Sequence, residues 1–170
     1  MAVVHPATIT PTKPEVLSAW LGGQVEVLGT YRYDDPAGEV GVEAFVVHRG
    51  DELLHVVLTY RGAPIDGATQ VATMEHSVLG ARWVYDGTTD PVALGCYARA
   101  LRGEQEQAAV EIWQDGEVVE VREPTATVSR EPGTGSSLAI VGELAAVEPS
   151  DGARLIATWN RGSAVVARLI

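Results

Sequence analysis

The chain has 170 residues, 46% of them hydrophobic and 21% charged, the size and composition of one globular domain, or one domain with an extension, able to bury a core without metal or disulfide. Acidic residues outnumber basic ones by 23 to 12, for a net charge of -11, and no basic run occurs. Nucleic acids and anionic membrane surfaces are gripped by stripes of Lys and Arg, so this balance argues against both as partners.

Residues 2–9 are β-prone. Thr12 stands three residues before Glu15, a capping box in which each side chain satisfies a free backbone N–H at a helix entrance. Val16, Leu17, Trp20 and Leu21 then fall on one helical face, and Gly22-Gly23 ends the element. The spacing predicts a short helix with that face buried. Strand and turn signals follow. Val25–Tyr33, Val40–His48 and Leu53–Tyr60 read as an antiparallel meander, broken at Asp34-Asp35-Pro36-Ala37-Gly38 and Arg49-Gly50-Asp51. Val71–Val78 and Arg82–Tyr85 are two shorter strands.

Asp90 and Pro91 form a favoured helix start, as N-cap and first residue. The helix runs to Arg102, with Ala93, Cys96, Tyr97, Ala100 and Leu101 on one face and Gly103 at its end. Glu104-Gln105-Glu106-Gln107 is a polar bridge, which divides the chain into 1–104 and a strand-rich extension, 105–170. Within the extension, Val110–Trp113 and Val118–Val121 flank Asp115-Gly116, a strong hairpin signal. Thr125–Ser129 reads as a continuation of the second strand beyond Pro124. Leu138–Val147, Leu155–Trp159 and Val165–Ile170 complete the set, and whether these strands extend the first sheet or form a second unit is open.

Most familiar chemistries lack their parts in this sequence. Gly133-Thr134-Gly135-Ser136-Ser137 has neither the Lys-Ser/Thr ending of a phosphate loop nor the third glycine of a dinucleotide fingerprint. The single lysine, Lys13, opens a capped helix and is no substitute for the strand lysine of a kinase. Histidines His5, His48, His55 and His76 include no pair at the i, i+4 metal-binding spacing. His48 and His55 flank one hairpin and can approach across it, but two ligands do not hold zinc. Cys96, the lone cysteine, lies on an apolar helix face, where an inert thiol is usual; it suits a reducing cytosol. No signal peptide is visible, and the longest apolar stretch, Leu138–Val147, is too short to span a bilayer.

Carboxylates are the least excluded. Asp34, Asp35, Glu39 and Glu43 cluster around one turn, and Glu75 precedes His76. Neighbours on a strand point to opposite faces, so Glu75 and His76 do not share a substrate. In Arg82-Trp83-Val84-Tyr85 the first and third residues share one face, the aromatics the other. That aromatic face is either core or a binding platform. The candidate binding residues are therefore Asp34, Asp35, Glu39, Glu75, His76, Arg82, Trp83 and Tyr85, with no catalytic residue, no metal and no cofactor assigned.

Three runs resemble a known family: Arg32-Tyr33-Asp34-Asp35-Pro36-Ala37-Gly38-Glu39-Val40-Gly41-Val42-Glu43, Leu58-Thr59-Tyr60-Arg61-Gly62-Ala63-Pro64, and Glu75-His76-Ser77-Val78-Leu79-Gly80-Ala81-Arg82-Trp83-Val84-Tyr85-Asp86-Gly87. They are similar to actinobacterial proteins carrying a maltokinase N-terminal cap-like domain, over residues 1–104. In full maltokinases the cap is a curved antiparallel sheet with a helix, likened to the cystatin fold. It sits on the N-lobe of a kinase that phosphorylates maltose in the trehalose-to-glycogen route. The resemblance implies an α+β, mostly antiparallel β fold here: a curved cystatin-like sheet with two helices, followed by additional β-hairpins. It implies no kinase activity, because the lobes holding the ATP lysine, catalytic aspartate and magnesium ligands are not in this chain.

The expectation is a non-catalytic, cytoplasmic cap-like module that docks a protein partner, such as a maltokinase- or trehalose synthase-related enzyme, or forms a homodimer. The alternative is a small-molecule protein, binding or transforming a carbohydrate or phosphosugar with the acidic cluster and the aromatic strand face.

Overall fold

The computed structural model describes residues 2–4 and 7–170; Met1, His5 and Pro6 lie outside the described residues. The elements in chain order are β1 (Ala2–Val4), β2 (Ile9–Thr10), α1 (Lys13–Leu21), β3 (Glu26–Asp34), β4 (Gly41–Arg49), β5 (Glu52–Arg61), β6 (Gln70–His76), β7 (Gly80–Asp86), α2 (Pro91–Arg102), β8 (Val110–Gln114), β9 (Glu117–Arg122), β10 (Thr127–Glu131), β11 (Leu138–Ile140), β12 (Arg154–Trp159) and β13 (Gly162–Leu169).

Both helices begin where their caps predict. The Thr12 hydroxyl accepts from the Glu15 N–H while the Glu15 carboxylate accepts from the Thr12 N–H, and left-handed Gly22 ends α1. Asp90 accepts from the Val92 N–H, and left-handed Gly103 ends α2. The buried face of α2 is the predicted one, Ala93, Cys96, Tyr97, Ala100 and Leu101. That of α1 is narrower: Val16 and Leu17 are buried, but Trp20 is 39% exposed.

The first meander, the two shorter strands and β2 build an antiparallel six-stranded sheet, ordered β2-β6-β7-β5-β4-β3 and curled into a half-barrel. Val16 and Leu17 of α1 pack on one face, against Phe45, Val47, Val56, Leu58, Met74 and Val84. The other face, with Tyr31, Val42, Ala44, Val46 and Val57, meets α2 and the C-terminal strands through Leu155, Ala157, Trp159 and Val166. Being covered on both sides explains why β4 is buried continuously from Val42 to Val47 rather than on alternate residues.

The fold is thus α+β and mostly antiparallel. The C-terminal strands form a four-stranded sheet, β10-β12-β13-β11, and β8 and β9 join β1 in a three-stranded one. The β8–β9 turn has Asp115 and Gly116 both at positive φ, 52° and 81°, as a two-residue hairpin turn of the primed type requires.

Two strand readings change. Thr127–Glu131 pairs with β12 and does not continue β9. Pro124 has no N–H to give a ladder, and the next residues turn to β3, where the Thr125 hydroxyl accepts from the Thr30 N–H and the Ala126 N–H donates to the Thr30 carbonyl. Of Leu138–Val147 only the first three residues are strand. The rest crosses back to the large sheet, with the His55 N–H donating to the Gly142 carbonyl and the Leu144 N–H to the Leu53 carbonyl, both at 2.8 Å. These bonds satisfy the half of β5 that β7 does not reach.

His55 organises the interior between the sheets. Its Nδ1–H donates to the Val141 carbonyl at 2.8 Å, which leaves Nε2 as an acceptor. The Tyr31 hydroxyl donates to Nε2 at 2.8 Å and receives the Tyr97 hydroxyl at 2.7 Å. His48 is not its neighbour across the hairpin: Val46 stands opposite His55, and Leu53 opposite His48. Burial pushes the His55 pKa down to about 4 from 6.5, against a smaller opposing pull from the Val141 carbonyl. Between those values the unfolded chain binds a proton that the folded one refuses, so stability falls as pH drops from 6.5 to about 4. The loss should reach about 3 kcal/mol. Urea unfolding across that window should show a shallower pH slope in His55→Gln, and an unchanged slope would remove the histidine as its source.

Candidate functional site

Cross-strand partners share a face of a sheet, and residues two apart on one strand share it too. The register pairs Arg32 with Glu43, Asp34 with Gly41, Gly41 with Tyr60, Tyr60 with Val84, and Met74 with Arg82. All therefore lie on the face that carries α1. Helix α1 leaves one end of that face uncovered. There a cleft of about 700 Å³ opens, lined by Arg32, Tyr60, Met74, His76 and Arg82 from the strands, Ile9 and Lys13 from the helix approach, and the 33–41 turn. Its volume is in the range of small-molecule sites.

The wall between β3 and α1 rests on one buried carboxylate. Glu43 is 7% exposed. Its Oε2 lies 2.6 Å from the Lys13 ammonium and 3.5 Å from Arg32 Nη1, and accepts from the Tyr60 hydroxyl at 3.0 Å. Burial pushes its pKa up, but Arg32 and Lys13 outweigh burial and hold it below the usual carboxylate value. Lys13 also stands 5.4 Å from the centre of the Tyr60 ring, a cation–π arrangement. Gly41 is needed beside them: a Cβ there would lie 3.2 Å from Arg32 Nη2 and 3.2 Å from the Tyr60 ring.

Of the residues singled out from sequence, Asp34, Asp35, Glu39, His76 and Arg82 line this cleft. Asp35 shapes its lip, accepting the N–H groups of Ala37, Glu39 and Val40 at 3.0–3.1 Å. His76 Nδ1 accepts from the Val78 and Leu79 N–H groups and holds the β6–β7 turn. Glu75 is exposed and outside the lining. Trp83 and Tyr85 belong to the opposite face, where Tyr85 is buried and its hydroxyl accepts the Ile65 N–H at 2.9 Å. The aromatics of the cleft lining are Tyr60 and Tyr33.

Sequence reasoning left Lys13, Arg32 and Tyr60 out of the site, and named Glu43 in the acidic cluster without listing it among the binding residues. Strand parity counted outward from the Asp35–Gly38 turn would have placed Arg32 beside Glu43. That Lys13 reaches the same carboxylate depends on the docking of α1 and has no local signal. Cys96 is fully buried, and burial pushes its thiol pKa up. Among the described residues no group of three or more His, Cys, Asp or Glu side chains could hold a metal ion, and no helix is long and apolar enough to cross a membrane.

A curled antiparallel sheet with one helix on its open face, backed by a second helix and further strands, defines an α+β module. Residues 18–90 match the family model of the maltokinase N-terminal cap domain, so this part of the chain is similar to that domain. The matched segment runs from within α1 through β3 to β7 and ends at Asp90, the cap of α2. No curated protein and no solved structure matches the chain.

Proposed function

We propose that this protein is a non-catalytic cytoplasmic module that docks onto another protein, an enzyme of the trehalose–maltose–glycogen route, as a cap docks onto its kinase. The observation that supports docking is strand β9. It is an edge strand of the three-stranded sheet, all six of its residues are exposed, and Val118, Val119 and Val121 are 41%, 55% and 53% exposed. Edge strands are ordinarily shielded by charge, proline or a covering segment, because their free N–H and C=O groups invite another strand. An edge carrying three bare valines is suited to strand addition by a partner.

Affinity capture from the native cell with the full chain as bait should recover a defined partner, and Val119→Lys should release it. A wild-type protein that captures nothing and sediments as a monomer at high concentration overturns the reading. A dimer abolished by Val119→Lys would make a second copy of this chain the occupant of β9.

A further inference from the structure

The cleft on the α1 face holds a guanidinium that no side chain among the described residues answers. Arg82 is half-buried in the cleft wall, and among the described residues its guanidinium makes no hydrogen bond and no ion pair. Each of the other cations of the cleft has at least a share in a carboxylate: Lys13 is bonded to Glu43, and Arg32 Nη1 stands 3.5 Å from the same oxygen. Arg32 Nε is buried without an acceptor. An unanswered guanidinium in a partly desolvated wall retains its full set of donors, arranged as a fork that fits a carboxylate or phosphate with two parallel hydrogen bonds.

The backbone makes room for that fork. Gly62 follows β5 and lies beside Arg82, and a Cβ built on it would stand 2.9 Å from Arg82 Nη1. Glycine at this position lets the guanidinium lie against the chain. The opposite lip, with Asp34 and Glu39, is acidic. Anionic groups are therefore repelled from one side of the cleft and received on the other, while carboxylates of the lip can accept hydroxyl donors.

We infer that this cleft binds a small hydroxylated molecule bearing a phosphate or carboxylate group, with that anionic group seated on Arg82. Tyr60 and Met74 supply the apolar floor, and the lip orients the hydroxyls. The site is separate from β9, so it stands or falls independently of the docking reading.

The test uses three probes on one carbon skeleton: glycerol 3-phosphate, glycerate and glycerol. Each is titrated into the full-length protein and followed by NMR shifts of the amides around Gly62 and Arg82. At least one anion should bind saturably at these residues, and the neutral triol should not; whichever anion binds more tightly identifies the headgroup. Arg82→Gln should weaken the better anion about tenfold or more, the scale of one charge-assisted contact. Its melting temperature should be unchanged, because Arg82 holds nothing else.

Gly62→Ala retains every charge and crowds the guanidinium, and it should weaken binding severalfold. Arg122→Gln, which removes an exposed arginine paired with Glu120 on β9, should leave binding intact. The inference is overturned if neither anion saturates, if glycerol binds as tightly as they do, if Arg82→Gln binds like the wild type, or if Arg122→Gln weakens binding equally.

Discussion

Asp90→Ala is expected to destabilise the protein by about 3–5 kcal/mol, the cost of removing one member of a buried ion pair. Asp90 is fully buried. It accepts from the Thr59 hydroxyl at 2.6 Å, from Arg61 Nε and Nη2 at 2.8 and 2.6 Å, and from the Val92 N–H at 2.9 Å. One carboxylate thus caps α2 and pins it to the end of β5. Alanine would leave the Arg61 guanidinium, only 15% exposed, without its partner, and the first turn of α2 without its acceptor. Asn, which keeps an oxygen for the cap, should recover part of the loss.

Burial pushes the Asp90 pKa up, but the Arg61 fork, the Thr59 hydroxyl and the Val92 N–H outweigh it and hold it below its ordinary value. The group therefore binds a proton more weakly in the folded state. Its contribution is complete above the unfolded carboxyl pKa and is lost as pH falls through the lower folded one. Chemical denaturation of the two variants and the wild type at neutral pH, repeated in acid, measures both effects. An Asp90→Ala protein within about 1 kcal/mol of wild type would contradict the clamp, since ordinary surface substitutions fall in that range.

Glu43→Ala is the second large effect, at about 3 kcal/mol, because it strands half-buried Arg32 and removes the acceptor of the Tyr60 hydroxyl. Lys13→Met should cost only about 1 kcal/mol: Lys13 is 29% exposed, its stem keeps its packing, and Glu43 retains Arg32 and Tyr60. The inequality is the useful part. Equal losses would mean that the carboxylate serves the lysine alone and that Arg32 is already satisfied elsewhere. The stabilisation from Glu43, whose pKa is also held low, is complete above the unfolded value and lost on acidification. That loss begins near pH 4.5, at the acid end of the window in which His55 acts, and continues below it.

Much of the fold was legible because its signals are local. The capping box at Thr12 and Glu15, the Asp90-Pro91 start, and the glycines after each helix act through bonds within a few residues. The face of α2 was read in full because every residue on it meets core. The face of α1 was read too broadly because amphipathic spacing says which side can be buried, not how far the sheet beneath extends; Trp20 stays 39% exposed. The Asp115-Gly116 turn marked the β8–β9 hairpin since only such residues accept two positive φ values in sequence.

By itself, the amino-acid order determined where most helices, strands and turns begin and which cap-like family the first part of the chain resembles. The tertiary structure decided which sheet each late strand joins, since pairing is settled by free edges elsewhere in the molecule. Thr127–Glu131 left β9 for β12, and residues 142–144 were drawn to the unpaired half of β5. It also decided the site. Five of the eight residues chosen from sequence line one cleft, but the groups that give it its charge, Lys13, Arg32 and Glu43, are brought together by sheet register and the docking of α1. Local spacing can name the charges; only the sheet brings them within ångströms of one another.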